Sequence, residues 1–420
     1  MTDDRTDAPT RRRFLRATVG LSLLGGCGTD GGPDTGSPRS TATATPTPTP
    51  RPSTTAATPA ATRTTPRPRP RFEAGPATCS LAPVAPAPKT WPGAGYDAGA
   101  TRHPPVESAP NGLPLRTAWT VPSGVGPVLV DRDRYYLRTE TALAALSPAD
   151  GRVRWRRRAA GPAGGAVVGD DLVALPTGEG TVFGLDPRDG SVRWTADVGA
   201  APTCPPILTH GAVVLGTDAG VVAYARAAGE PCFRVPTAGP VTHLVGAGGL
   251  VVAATARPAD GTLLAVDPGR ETIRYTRYLT APPTGLVATG DELIVSAGDG
   301  SLGLAPADGT PEWTASVGPV LAAGRHRYAL GSDELVALSA DGRAAWRADA
   351  PAPTGVAATD DLVVVTGADG QAAMGVYDAR TGDPRLRQRD ATGYRHPVVA
   401  DDRIVVIGDD GVRVYREETT

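Results

Sequence analysis

The sequence predicts an all-β chain: an eight-bladed β-propeller of four-stranded antiparallel blades, its ring closed by an N-terminal strand. Three observations predict it. A glycine turn followed four residues later by an aromatic recurs along residues 115–420. A short apolar strand stands before each turn, eight times, at intervals of 33 to 42 residues. The last unit lacks an outer strand, and a spare one precedes the first. A period near 40 with four short strands per unit is the sequence mark of a propeller.

The repeats carry the first observation. Gly151-Arg-Val-Arg-Trp155, Gly190-Ser-Val-Arg-Trp194, Gly229-Glu-Pro-Cys-Phe233, Gly309-Thr-Pro-Glu-Trp313 and Gly342-Arg-Ala-Ala-Trp346 share one spacing. Gly382 to Leu386 keeps that spacing with a leucine, Gly269 to Tyr275 carries two extra residues, and Trp119 opens the series. The apolar strands fall at 143–146, 183–185, 221–224, 263–266, 302–305, 335–338, 374–377 and 412–415. One unit reads as apolar 163–168, a turn at 169–171, a return at 172–175, a turn at 177–180, an outward run at 182–185, a turn at 189–190 and a closing strand at 192–198. Asp-Gly and Gly-Asp fill the turns because tight hairpins need residues that tolerate positive φ. No helical period interrupts the pattern, and the turns are too short for parallel crossovers. The eighth unit, 396–415, has no outer strand of its own. Residues 115–121 have that character, and pairing the two leaves no large open edge.

Composition agrees with this reading. Gly (52) and Pro (43) are abundant and aromatics make up 5%, as suits short strands joined by turns beside a segment without a core. The formal net charge of −2 gives no basic face to suggest nucleic acid.

Ahead of the repeats the chain reads in three parts. Residues 1–26 resemble a twin-arginine lipoprotein signal: Arg11 and Arg12 within Thr10-Arg-Arg-Arg-Phe14, an uncharged run from 17 to 26, and Leu24-Gly-Gly-Cys27 as a lipobox. The apolar run is too short to span a bilayer. The resemblance implies cleavage before Cys27, a diacylglycerol on its thiol, and export to the outer, extracytoplasmic face of the cell membrane. Losing five arginines and three aspartates would leave the mature chain near −4, too weak to define a partner. Residues 27–72 collapse to Thr, Pro, Ser, Ala, Gly and Arg, which offer too little apolar surface to offset chain entropy. They read as a stalk that, stretched, would reach about 140 Å, or as a passive linker. Residues 73–114 are a Pro-rich lead-in with Trp91 and Tyr96 as anchors.

The units of the form Leu-x-Ala-Leu-x-x-x-x-Gly-x-x-x-Trp, as from Leu143 to Trp155, resemble the repeats of the pyrroloquinoline-quinone (PQQ) dehydrogenase superfamily. In that family the aromatic docks on the neighbouring blade, which is the role implied for Trp119, Trp155, Trp194, Phe233, Tyr275, Trp313 and Trp346. The repeat is structural, so function must be argued from a site. One branch holds quinoprotein dehydrogenases; another holds propeller lipoproteins of the outer-membrane barrel-assembly machinery, which bind partners. The enzymes typically carry an adjacent Cys-Cys pair, calcium held partly by Asn, and a catalytic Asp. Here no cysteines are adjacent and the one asparagine, Asn111, precedes the blades. No Cys-x-x-Cys-His, Gly-x-Ser-x-Gly, His-Glu-x-x-His or Walker loop occurs in the domain.

No catalytic residue and no cofactor are therefore assigned. The expected function is a non-enzymatic binding scaffold with a protein or glycan partner; the alternative is an extracytoplasmic oxidoreductase using PQQ with calcium, or a sugar-binding enzyme. His243, His396 and Cys204 fall near the starts of predicted inner strands, which line one channel mouth. They converge on a metal or small ligand, or are unrelated polar residues around a wet funnel, the plainer reading. His210 and His326 fall in first turns, where solvation is expected. Cys204 and Cys232 belong at opposite ends of one blade, beyond disulfide reach. Cys79 remains free to bridge to either, leaving one thiol over.

Overall fold

The computed structural model describes residues 70–80, 82, 85–110, 112–122, 124, 126–159, 165–368 and 373–418. Arg11, Arg12, Cys27 and almost all of the stalk lie outside them. Eight sheets of four antiparallel strands, one extended to five, form the blades. Among the described residues the helical content is two 3-10 turns, Val106–Ser108 and Pro268–Arg270.

Blade 1 runs Leu129–Val130, Tyr135–Arg138, Ala142–Leu146 and Val153–Arg158, from the channel outward. The inner strands of blades 2 to 8 are Val167–Val168, Ile207–Leu208, Val241–Ala247, Pro283–Ala288, Val320–Ala323, Pro353–Ala358 and Arg395–Ala400. The outer strands of blades 2 to 7 are Val192–Asp197, Pro231–Pro236, Thr272–Leu279, Pro311–Ala315, Ala344–Asp349 and Pro384–Gln388. Blade 8 takes its outer strand from Leu115–Val121, paired antiparallel to Gly411–Glu417 from Leu115↔Glu417 to Val121↔Val412. The ring is thus closed by the spare strand, and one apolar cluster runs through blades 7, 8 and 1 across the seam.

Middle strands are mostly apolar because both faces are covered; Ala212–Gly216 is buried at every position. Outer strands alternate, as Val192–Asp197 does with Trp194 and Ala196 turned in. A register shift in the outer pairing falls beside the aromatic in blades 1 and 2, at Ala145/Leu146 and Val192/Trp194. Such bulges re-aim a side chain, here toward the next blade.

The repeat's chemistry follows from that aim. Trp155 of blade 1 reaches blade 2, where its indole N–H donates to the Pro187 carbonyl at 2.9 Å. Its ring lies on Gly190, where a Cβ would come within 2.6 Å of it. Gly190 also has φ +72, so glycine is required there twice over. The latch repeats around the ring. Trp119 donates to Pro148, Trp194 to Arg226 and Trp346 to Ala379. Tyr275 and Trp313 cover Gly309 and Gly342 of the following blades. Trp313 sends its N–H instead to the buried Glu292 carboxylate, which also takes the Arg327 guanidinium of blade 6 at 2.8 Å.

Phe233 departs from the latch. Phe72 stacks on it at 5.3 Å, and Glu73–Ala74 adds a fifth strand to blade 3 through Glu73↔Arg234 and Ala74↔Phe233. Cys79 bridges Cys232 on that outer strand, with Cα atoms 5.9 Å apart. Of the pairings open to Cys79, this one is formed, and Cys204 is the thiol left over.

Candidate functional site

The lead-in between blade 3's edge and the closing strand crosses one mouth of the channel as a belt. It carries little side-chain pattern, and it is held through its backbone. Carbonyls of Ala82 and Ser80 accept from His210 and Gly211 of blade 3. Lys89 accepts from Asp401 of blade 8, and Trp91 exchanges two bonds with Val130 of blade 1 at 2.7 and 2.8 Å. Pro92 accepts from Val168 of blade 2, Ala98 from Gly246 of blade 4, Gly99 from Ala288 of blade 5, Thr101 from Ala323 of blade 6 and Arg102 from Ala358 of blade 7. All eight blades are bonded. In blades 2 and 4 to 7 the donors are at or next to the last residue of the inner strand, groups that would otherwise face the channel unpaired.

Side chains pin the belt where it turns. Trp91 is 1% exposed and lies 5.4 Å from the Tyr96 ring. The Asp97 carboxylate accepts from the Thr101 N–H at 2.9 Å and from the Thr101 hydroxyl at 2.8 Å, and burial raises its pKa against those bonds. Lys89 pairs with Asp402 at 2.7 Å. His103 lies 3.4 Å from Asp360, with burial lowering its pKa and that aspartate opposing.

Between the belt and the inner strands of blades 1 to 6 is a cavity of about 740 Å³. Its walls are apolar at Leu244, Leu286 and Leu321, and Arg102 is the belt's cation within it. Arg102 is half-buried, and among the described residues no acid or hydrogen-bond partner acts on its guanidinium. Desolvation by the surrounding protein lowers its pKa.

The Arg102 charge acts on both His243, which lines the cavity, and His396, which does not. Burial, and then the Arg102 charge, lower the His243 pKa; the same two causes in the same order, with Arg395 third, take His396 down to about 4. Both imidazoles are therefore neutral near pH 7. His243 Nδ1 lies 3.0 Å from the Thr242 hydroxyl. Cys204 is not with them. Thr203 bonds Gly216 and Val241 and turns the next residue inward, so Cys204 is 2% exposed in the core of blades 3 and 4. Burial pushes its thiol up to about 12.

His210 is exposed at the cavity's lip, as expected of a first-turn residue. His326 corrects the same expectation: it is half-buried, edge-on to Tyr328 and Trp346 at 6.2 and 6.4 Å, and burial lowers its pKa. The outer-strand Trp346 of its own blade covers it. Arg102 and the Asp97–Thr101 clamp were missed by sequence reasoning. Trp91 and Tyr96, two large aromatics in a Pro-rich run, were the only signal that this stretch is anchored.

These residues do not match a quinone with calcium. Among the described residues no three His, Cys, Asp or Glu side chains come together as metal ligands. The Cys79–Cys232 disulfide sits on an outer strand of blade 3, and the belt crosses the mouth at the inner-strand ends.

A family model described as outer membrane protein assembly factor BamB matches residues 116–218 and 331–419. No curated protein sequence matches the chain. Among solved structures, BamB from Moraxella catarrhalis superposes with TM-score 0.60 at 16% identity, covering 73% of this chain and 99% of that one. A quinohemoprotein alcohol dehydrogenase, ADHIIG from Pseudomonas putida HK5, gives TM-score 0.62 at 13% identity, over 82% and 84%. The computationally designed Ika8 protein gives 0.58 at 15%, over 72% and 99%. At these identities the likeness is one of fold, and it is shared by an assembly factor, an enzyme and a design.

Proposed function

We propose that this chain, a β-propeller of the PQQ-dehydrogenase-like type with stretches matching the BamB assembly-factor model, is a non-enzymatic scaffold that docks a protein partner. Its place is the extracytoplasmic face of the cell membrane, held there by a lipid on Cys27. The observation that carries the reading is the belt. Catalysis in a propeller needs a cofactor clamp, a metal site and a base converging at a channel mouth. Here the described residues between 80 and 102 occupy one mouth and are bonded to every blade.

The rim supplies a surface instead. The outer strand of blade 1, Val153–Arg158, is an exposed edge with Arg154, Arg156 and Arg158 on its free face and Val153 59% exposed. An unpaired strand edge invites a further strand from a partner, and three guanidinium groups favour an acidic one.

Two experiments test the reading. Full-length protein is captured from membranes of its own organism, beside a variant with Arg154, Arg156 and Arg158 changed to Glu and a Cys27→Ala variant. A specific partner lost in the triple variant supports docking at this edge, and release from membranes by Cys27→Ala supports the anchor. The wild type is also titrated with PQQ and calcium and assayed on alcohols and aldoses with an artificial electron acceptor. Stoichiometric quinone binding with turnover would overturn the scaffold reading in favour of the oxidoreductase.

A further inference from the structure

We propose that the channel cavity is a binding site for a small organic carboxylate, its anionic end on Arg102 and its apolar body along Leu286 and Leu321. This goes beyond the scaffold reading and stands or falls without it.

The first argument is the position of Arg102. Its backbone has φ +49, a conformation that residues with a side chain rarely adopt. It is held there from both sides: its N–H donates to the Gly95 carbonyl at 2.9 Å, and its own carbonyl accepts from Ala358 at 3.0 Å. The preceding Thr101 is clamped twice by Asp97. Lys89, Tyr96 and Ala100 of the belt share such a conformation, and the tight turns they make set Arg102 at the cavity, a kind of local strain that collects at ligand sites.

The second argument is the missing partner. A guanidinium half-buried in a cavity and left without an anion is costly, and arginines so placed are normally paired. The acids nearest the cavity are engaged elsewhere. Asp97 takes Thr101; Asp131 takes the Tyr136 hydroxyl at 2.5 Å and the Arg134 guanidinium at 3.5 Å; Asp171 takes Arg226. Asp170, on the same lip, makes no side-chain bond to Arg102.

The third argument is the rest of the wall. A volume of about 740 Å³ falls in the range of small-molecule pockets. A planar guanidinium offers two parallel N–H groups to a carboxylate. One positive charge is balanced by one carboxylate, whereas a doubly charged phosphate would carry excess charge into walls of leucine. His243, a lining residue whose pKa burial lowers, adds polar atoms without adding charge near pH 7.

The test is calorimetric titration of the full chain with benzoate, hexanoate, benzamide and inorganic phosphate. A carboxylate should saturate one site per chain, and benzamide should not bind. Arg102→Gln should weaken carboxylate binding by about tenfold or more, and Arg102→Lys, which keeps the charge and loses the fork, by less. Leu321→Trp leaves Arg102 in place and intrudes on the apolar wall along which the ligand's body would lie, so it should also weaken binding sharply. It serves if Arg102→Gln does not fold. Failure of every carboxylate to saturate, equal binding by benzamide, or full affinity in Arg102→Gln overturns the proposal. Phosphate binding alone overturns the carboxylate assignment. Partner capture reads neither result, so the two readings fail separately.

Discussion

Replacing Gly190 by Ala should be among the more damaging single-methyl additions in the ring, and the cost can be divided. Gly190 sits at φ +72, where an L side chain costs about 1–2 kcal/mol. Its Cβ would stand 2.6 Å from the Trp155 ring, and overpacking of this kind costs about 1–3 kcal/mol. Together the substitution should cost about 2–5 kcal/mol, summing those ranges. Trp155→Ala alone should cost about 3–5 kcal/mol through the lost burial and cavity, with the Pro187 carbonyl losing its donor. In the Trp155→Ala background the ring is gone, so Gly190→Ala should cost only its backbone share. Urea unfolding of the four proteins gives the cycle, with a coupling of about 1–3 kcal/mol. If Gly190→Ala costs the same with and without Trp155, the ring–glycine contact carries no energy and the latch account of the repeat is wrong.

Three further outcomes follow from the same structure. Cys204, buried with its thiol pushed up to about 12, should resist alkylation in the native chain and react only on unfolding, read by mass spectrometry; modification of folded protein would contradict its placement in the core. Cys232→Ser, which opens a loop of 153 residues, should lower stability by up to about 5 kcal/mol on the chain-entropy estimate, measured by urea midpoint against the oxidised wild type; an unchanged midpoint would mean that the fifth strand alone holds residues 72–79. Deleting residues 80–102 should expose the inner-strand N–H groups and sharply lower the melting temperature, while deleting 28–69 should leave it nearly unchanged; equal melting temperatures would show that the belt contributes nothing to the ring.

The propeller was legible because its defining contact is repeated. Most blades pair an aromatic with a glycine of the next blade at a nearly fixed count, so Trp155 with Gly190 or Trp346 with Gly382 recurs as a spacing any reader can count. The spare strand at 115–121 was legible for the same reason, by its absence from the last unit. The belt was not. It is held by carbonyl oxygens, which every residue carries, and no side-chain pattern marks which ones are used. Arg102 is one arginine among many until the turn clamped by Asp97 places it in the channel. Cys79 could be left only as an open choice, since its partner depends on residues 72–74 adding to blade 3 and not to another edge. His326 was misjudged because a turn position speaks of its own strand pair and says nothing of the outer-strand Trp346 that folds over it.

The belt also bears on how many blades such a ring can have. Tandem blades joined by interchangeable contacts lend themselves to gain or loss of a unit, since the latch is nearly the same between most neighbours. Here one aperiodic thread touches each blade once, in the order 3, 8, 1, 2, 4, 5, 6, 7, with spacings set by its own turns. Insert or remove a blade and the thread no longer reaches its later partners in step. A copy-number change that the repeats alone would tolerate is therefore penalised by twenty-odd residues ahead of them, which act as a template against which the ring is counted.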